Sequence, residues 1–419
     1  HFNESDFVDF DLVETHKMAL LRKAYQNFRV KADQYSGYLD FCYHYADLLN
    51  DYSLFMSIKA YYGGSPMSEW PVSIRKKQQE AIDAIYGKLI DEVGFQKFIQ
   101  WLFFKQWMQL KRYANEHGID IMGDVPIYVS LDSADLWSNP EYFDVDENLT
   151  PRHVAGVPPD YFCHTGQLWG NPVYNWKAMQ ADDFAWWRRR IYATFQMYNS
   201  FRIDHFRGFS QFWAIPYGEE TAATGFWVSA PGLELFQSIE RHLGKLPIVA
   251  EDLGLITPEV ENLRDSLGFP GMKILQFAFD SSENNIYLPH TYNKNCVVYT
   301  GTHDNNTTLG WYYDASDQDV RRSVKYMDCE GKSFVKSMIR HALSSVADTA
   351  IVPMQDLLEL GAHARMNIPG TIDNNWQWKM ISGQITDRFM EAAGYLKEDR
   401  ETTESRPREA PSQRRKVRR

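Results

Sequence analysis

The hydrophobic pattern of this 419-residue chain changes near residue 118. Before that point, apolar residues recur with helical spacing over 12–28, 38–60, 74–90 and 94–104. A Gly-Gly-Ser-Pro sequence at 63–66 interrupts the pattern once. The sequence therefore predicts a mainly helical subdomain over residues 1–117.

After residue 118, short β-branched runs alternate with amphipathic stretches. The runs cover 119–123, 200–204, 248–251, 272–279, 297–301 and 351–353. Strand followed by helix at this spacing is typical of an α/β fold with a parallel sheet and crossover helices. Gly, Pro and Asn cluster over 138–176, which predicts a long irregular loop insertion, and loops of that length are commonly functional.

Several of the predicted strands deliver a carboxylate at their C-terminal end. Asp204 and Glu251 end two of the apolar runs, Asp304 follows a third, and Asp124 follows the first run. Carboxylates that converge from the strand ends of a barrel are what the chemistry of glycosidic bonds requires.

Neighbouring residues suggest how two of these carboxylates differ. Arg202 and Asp204 are two positions apart on a strand, so they share a face, and the guanidinium favours an ionised carboxylate that suits a nucleophile. A structural Arg–Asp pair is the alternative.

Glu251 ends an apolar run, and apolar surroundings raise the pKa of a carboxyl group, which suits a proton donor. The alternative is a local helix-capping acid, a role for which Asp252 is the better candidate.

Composition narrows the function classes. The net charge of −11 argues against a nucleic-acid groove across the main body, and no run of 18 apolar residues predicts a membrane span. Four cysteines without a CxxC spacing fit a reducing compartment and argue against zinc or redox motifs. Thirteen Trp and 24 Tyr are enough to fill a core and leave rings that could stack on sugars. Residues 396–419, with seven Lys or Arg after residue 404, are predicted to be a disordered charged tail.

His303 and Asp304 are adjacent at a strand end, where they could bind a metal. No second His with ligand spacing accompanies them, so hydrogen bonds to sugar hydroxyls are the simpler use. We expect no metal site.

Seven segments resemble, in order and in spacing, those of the amylomaltases. They are 123–129, 155–162, 166–172, 202–208, 250–254, 270–273 and 301–305. Amylomaltases are 4-α-glucanotransferases (disproportionating enzymes) of the α-amylase clan, and the similarity runs from about residue 5 to about residue 395.

The resemblance implies a (β/α)8 TIM-type barrel with an inserted helical subdomain. Residues 118–395 would carry strands three to eight, with 138–176 as the active-site loop insertion. The first two strands belong to a family segment that would precede His1, so we expect an incomplete barrel. The implied reaction moves α-1,4-glucan segments between maltooligosaccharides and starch- or glycogen-type glucans by a retaining double displacement, without a metal or organic cofactor. The compartment would be bacterial cytoplasm, or the plastid stroma of a plant or alga.

The resemblance also implies a role for each motif residue. Asp204 would be the nucleophile, Glu251 the general acid/base and Asp304 the transition-state stabiliser. The implied substrate-binding residues are Asp124 for the donor glucose, Tyr161 and Phe162 on a mobile loop over the site, Trp169 as a sugar-contacting ring, and Arg202 and His303 beside the carboxylates.

Three alternatives stay open at this point. A hydrolase of the same clan would use the same carboxylates. A truncated, non-catalytic glucan-binding protein would bind without turnover because the first two strands are missing. A wrong gene model would instead mean that the true protein is full length.

Overall fold

The computed structural model describes residues 5–159, 164–280 and 285–386. The chain divides into two compact units. The larger is Asp11–Pro270, and the smaller consists of His1–Phe10 together with Gly271–Arg419. Residue 117 lies inside the larger unit, and the predicted domain boundary at that position stays a prediction. Within the described ranges, no helix is both long enough and apolar enough to cross a membrane.

The larger unit begins with a helical region. Its helices are α1 (Phe10–Arg29), α2 (Ser36–His44), α3 (Ala46–Tyr61), α4 (Val72–Arg75), α5 (Gln79–Glu116), α6 (Ala134–Ser138), α7 (Trp176–Ala181), α8 (Ala185–Met197), α9 (Gly232–Leu243) and α10 (Pro258–Ser266). The two patterned stretches at 74–90 and 94–104 fall mostly on one helix, the 38-residue α5. Gly94 is a residue of α5, and a Cβ at this position would lie 2.3 Å from Tyr25 Oη of α1. The missing side chain therefore allows α1 and α5 to pack closely.

The strands of the same unit form two sheets. They are β1 (Met122–Val125), β2 (His153–Val157), β3 (Gln167–Pro172), β4 (Ser200–Ile203), β5 (Gln211–Pro216), β6 (Phe226–Ser229) and β7 (Ile248–Ala250). β1, β4 and β7 form a parallel sheet in that order, and they match three of the predicted strands. Phe201 and Ile203 on the central strand are fully buried in the main core, which fixes the face from which the polar residues emerge.

The second sheet is antiparallel, in the order β3-β2-β5-β6. The segment 138–176, predicted as irregular, therefore contains two strands. Local sequence could not show this, because β2 pairs with β5 some 60 residues later. Gly156 lies where a Cβ would be 2.2 Å from the Gln167 carbonyl oxygen, so the glycine that suggested a loop instead allows β2 and β3 to approach.

The smaller unit contains a second parallel sheet. β8 (Gly271–Ile274), β9 (Cys296–Tyr299) and β10 (Thr349–Ile351) are ordered β10-β9-β8. Its helices are α11 (Thr308–Asp314), α12 (Asp317–Met327), α13 (Phe334–Leu343) and α14 (Met354–Leu357).

Two boundaries in this unit differ from the sequence prediction. The run 272–279 is a strand only as far as Ile274, and Leu275–Phe279 is a 3-10 helix with buried apolar residues. The last strand ends at Ile351 instead of starting there, since Pro353 has no N–H to donate to a ladder.

Candidate active site

The register of two parallel strands places an acid beside a base at one sheet edge. Asp124 of β1 pairs with Arg202 of β4, and Asp204 follows two residues later. Arg202 Nη1 donates to Asp124 Oδ1 at 2.9 Å and to Asp124 Oδ2 at 2.7 Å, while Nη2 donates to Asp204 Oδ1 at 2.5 Å. One guanidinium therefore holds two carboxylates.

Arg202 is itself buried, with 10% of its side chain exposed, whereas the Asp204 side chain is 43% exposed. Burial alone lowers the pKa of Arg202, but the charges of Asp204, Asp124 and Glu251 outweigh burial and raise it. The guanidinium is thus a permanent positive charge beneath the carboxylates. Arg202 therefore orients the Asp204 carboxylate by binding its Oδ1, while the side chain stays partly exposed.

Glu251 immediately follows β7 and lies against the Asp204–His205 peptide. Its Oε2 accepts the His205 N–H at 2.8 Å and its Oε1 accepts the Leu253 N–H at 2.9 Å. Burial and the nearby Asp204 charge raise the pKa of Glu251 to about 7, although Arg202 and the two backbone donors oppose the rise. A carboxyl group with that pKa can both give and take a proton near neutral pH.

His205 connects this edge to Trp169. Its backbone is left-handed, with φ 50°, which turns the chain directly after Asp204. Burial lowers the pKa of His205 to about 4 even though Asp204 favours its charged form, so the ring is neutral at neutral pH. The Trp169 ring meets it edge to face at 4.8 Å and is about a third exposed, at 36%. Trp169 therefore offers apolar surface close to the nucleophile candidate.

In the smaller unit, Asp304 lies in the loop after β9 and is held on both sides. Asn367 Nδ2 donates to Asp304 Oδ1 at 2.6 Å, and His303 Nε2 lies 3.4 Å from Asp304 Oδ2. The Arg365 Nη2 donates to the Asp304 carbonyl oxygen at 2.6 Å. Asp304 also borders a cavity of about 300 Å³ lined by both polar and aromatic groups.

The sequence prediction missed three residues around Asp304. Asn367, Arg365 and Trp376 lie more than 60 residues downstream, and no periodicity links them to the strand end. The Trp376 ring centroid is 5.0 Å from that of His303. In this region, the sequence Asn-Asn-Trp at 374–376 combines polar residues with an aromatic ring, and that combination could have suggested a site for sugars.

The structure thus groups some of the predicted residues and leaves others untested. Asp124, Arg202, Asp204, Glu251 and Trp169 form one connected set in the larger unit. His303 and Asp304 form a second set in the smaller unit. Tyr161 and Phe162 lie outside the described residues.

Asp252, the candidate for a local role, is buried and bonded to Arg264 of α10. Its neighbour Glu251 is bonded only through backbone N–H groups in the contacts described above. The two adjacent acids therefore have different surroundings: Asp252 is paired with Arg264, whereas Glu251 lies beside Asp204 and its pKa is raised.

Comparison with known proteins agrees with this chemistry. A family model described as 4-alpha-glucanotransferase, of the glycoside hydrolase 77 group, matches residues 2–384. The 4-alpha-glucanotransferase of Synechocystis is 48% identical over 386 residues, which are 91% of this chain and 76% of that protein. That of Thermus thermophilus is 45% identical, over 90% of this chain and 78% of that protein.

A solved structure supports the same relationship. The amylomaltase from Streptococcus agalactiae in complex with acarbose superimposes with a TM-score of 0.90 at 40% identity, covering 94% of this chain and 79% of that one. The predicted α/β class, with the barrel fold of the amylomaltases, is therefore confirmed. On this evidence the chain belongs to the 4-alpha-glucanotransferase family of enzymes.

Proposed function

We propose that this protein transfers α-1,4-glucan segments by a double displacement in which Asp204 is the nucleophile and Glu251 is the general acid/base. One observation carries the proposal: two neighbouring carboxylates have opposite environments. Asp204 is bound to a permanent cation, while Glu251 has a pKa raised to about 7. Retaining glycoside chemistry needs one ionised and one protonated carboxyl group.

In the first step, Glu251 gives its proton to the glycosidic oxygen of the donor glucan. An Asp204 carboxylate oxygen attacks the anomeric carbon as the bond to that oxygen breaks. The reducing-end segment leaves with the proton, and the remaining segment is joined to Asp204 as a β-glucosyl ester.

In the second step, the Glu251 carboxylate takes the proton from the 4-hydroxyl of an acceptor glucan. The acceptor oxygen attacks the anomeric carbon from the opposite side and Asp204 is released. Two inversions give an α-1,4 bond again, and the protons on Glu251 balance over the cycle.

The remaining residues are assigned supporting roles. Asp304, oriented by Asn367 and flanked by His303, would stabilise positive charge on the sugar in the transition state. Asp124 would hold donor hydroxyls, and Trp169 would stack on a sugar ring. Acarbose, which the S. agalactiae amylomaltase binds, is a proposed ligand of this chain as well.

Tyr161 and Phe162 are proposed to exclude water, so that a sugar hydroxyl is favoured over water as acceptor. Replacing both rings with Ala should then raise the ratio of hydrolysis to transfer, measured as glucose release against chain lengthening. An unchanged ratio would remove this role from both residues.

The curated relatives described above are bacterial, which supports the cytoplasm as the compartment if the source is a bacterium. The plastid stroma is the corresponding expectation for a plant or alga. Fractionation of source cells with an antibody against the chain would decide between them.

Incubation with maltotriose tests the reaction class. Transfer gives glucose and a ladder of longer glucans, hydrolysis gives glucose and maltose only, and a binding protein gives neither. Asp204→Asn should abolish turnover in each enzymatic case.

The assignment of Glu251 can be tested separately. Glu251→Ala should be slow on maltotriose but should still be glycosylated by an α-glucosyl fluoride, whose leaving group needs no proton. Added azide should then release an α-glucosyl azide from the ester on Asp204. Formation of the β-azide in Glu251→Ala, or wild-type turnover in Asp204→Asn, would contradict the two roles.

A further inference from the structure

The segment Arg365–Trp376 makes three hydrogen bonds to His303 and Asp304, and a fourth bond within the segment braces it. The Asn367 N–H donates to the His303 carbonyl at 3.1 Å, and Asn367 Nδ2 donates to Asp304 Oδ1 at 2.6 Å. Arg365 Nη2 donates to the Asp304 carbonyl at 2.6 Å, and Arg365 Nε donates to the Asn367 carbonyl at 2.8 Å. Both the main chain and the carboxylate of Asp304 are therefore held from one segment.

This segment is kept in an unfavourable backbone conformation. Asn374 and Trp376 have φ of 62° and 61°, and a bulky residue such as Trp rarely adopts the left-handed region. The turn is fixed by the Trp376 N–H, which donates to the Met366 carbonyl at 2.6 Å, and by Asn375 Oδ1, which accepts the Ile368 N–H at 2.9 Å. Strain of this kind persists only where the surroundings over-determine it, and it is concentrated at functional sites.

The strained turn places the Trp376 ring on His303. The ring centroids are 5.0 Å apart, and 48% of Trp376 remains exposed. The indole, tilted by 38° to the imidazole plane, limits the positions open to the His303 ring, whose Nε2 lies beside the second oxygen of Asp304. Each oxygen of the Asp304 carboxylate is thus faced by a group that this segment holds in place.

We propose that Asn367 is a positioning residue for the transfer reaction, acting through Asp304, and that the Arg365–Trp376 turn holds it there. Resting on the function proposed above, this inference adds a residue whose side-chain amide donates to the Asp304 carboxylate. A donor fixed at 2.6 Å keeps one Asp304 oxygen bound, so that the carboxylate is held in a single orientation. Misplacement of such a group costs rate more than affinity.

Asn367→Ala should therefore lower kcat for maltotriose by about 10-fold to 100-fold with little change in KM. Asn293→Ala is the matched control, because Asn293 is an exposed asparagine that lies outside the Arg365–Trp376 turn. The control should keep wild-type kcat. Thermal unfolding of both variants shows whether the fold is intact.

Asn367→Asp provides a readout that a purely structural role would not move. Its carboxylate would face Asp304 at hydrogen-bonding distance, and two such groups bind one proton together when the pH is lowered. A shared proton restores the donor, so the activity of this nearly isosteric variant relative to Asn367→Ala should rise as the pH falls towards 5. A ratio that does not change with pH would overturn the inference.

A double-mutant cycle with Asp304→Asn completes the test. If Asn367 acts through Asp304, Asn367→Ala should cost less than about 2-fold in the Asp304→Asn background, with an activated glucosyl fluoride as donor. The same cycle measured as acarbose affinity by calorimetry needs no turnover. Equal losses in both backgrounds, or wild-type kcat in Asn367→Ala, would overturn the positioning role, whereas failure of the proposed function would show as an inactive wild type.

Discussion

The raised pKa of Glu251 predicts a specific pH dependence of stability. Glu251→Gln replaces the carboxyl group by a neutral group of the same shape. A rise in pKa from 4.5 to about 7 on folding means that the folded state binds the proton more tightly than the unfolded state. The wild type therefore has an extra stabilisation below pH 4.5, which is lost as the pH rises to 7, and the glutamine variant has none.

The size of this effect follows from the shift. At about 1.4 kcal/mol per pKa unit, the difference is at most about 3.5 kcal/mol, and about 2–3 kcal/mol after allowance for the partial exposure of Glu251. The amide also turns an NH2 towards one of two backbone donors, His205 or Leu253, which costs about 1–3 kcal/mol at every pH. The diagnostic quantity is thus the change with pH of the difference between variant and wild type.

Chemical denaturation at a series of pH values from 4 to 9 measures that quantity. The stability of Glu251→Gln relative to the wild type should rise by about 2–3 kcal/mol across this range, with most of the change between pH 4.5 and 7. Glu240→Gln, on the exposed surface of α9, is the matched control and should give a flat difference. A flat profile for Glu251→Gln, or a relative stability that falls as the pH rises, would refute the assignment of Glu251 as the buried proton donor.

Four further outcomes are expected. The kcat/KM for maltotriose should fall as the pH rises through about 7, since the first step needs protonated Glu251; a rate that stays level to pH 9 would exclude it as the acid. Arg202→Met removes the cation shared by two carboxylates, so it should lower the free energy of unfolding by about 2 kcal/mol and reduce transfer at least 100-fold. Denaturant titration measures the first effect and product analysis measures the second, and wild-type values in both would contradict the shared role of Arg202. Gly156→Ala should cost about 1–3 kcal/mol through its 2.2 Å clash with a backbone oxygen, in contrast to Gly87→Ala in α5, where a Cβ meets nothing within 4 Å; equal melting temperatures would contradict this. Asp356→Asn should destabilise by about 1–3 kcal/mol, since this buried carboxylate accepts from Thr300 and twice from Thr308, and a wild-type melting temperature would be inconsistent with that network.

Three strands of the parallel sheets, β4, β7 and β9, were predictable because nearly all of their residues are buried. The run 248–251 is apolar until Glu251 at its end, and in 200–204 the apolar Phe201 and Ile203 alternate with polar residues up to Asp204, so each terminal acid is recognisable. Chain order also fixes which end of a parallel strand carries the acid. For these reasons the order of residues alone is enough to name Asp204, Glu251 and Asp304 as candidates.

Other features depended on partners that are distant in sequence. β2 and β3 were predicted as loop because the sheet that they join, through the pairing of β2 with β5, is not encoded locally. The 3-10 helix at Leu275–Phe279 is as apolar as a strand, and its burial in the second core decides its conformation. Local propensity gives only a weak preference in each case, and tertiary contacts override it.

The amino-acid sequence by itself determined the family, the α/β class and the acids at the strand ends, because motifs and buried runs are local properties. Only the tertiary structure decided the partners and the electrostatic environment of each acid. The β1–β4 register gives Arg202 a second carboxylate, the packing around Glu251 raises its pKa, and Asn367 reaches Asp304 from 63 residues away. Electrostatic environment is a sum over groups that only folding brings together, and for that reason it cannot be obtained from the linear chain.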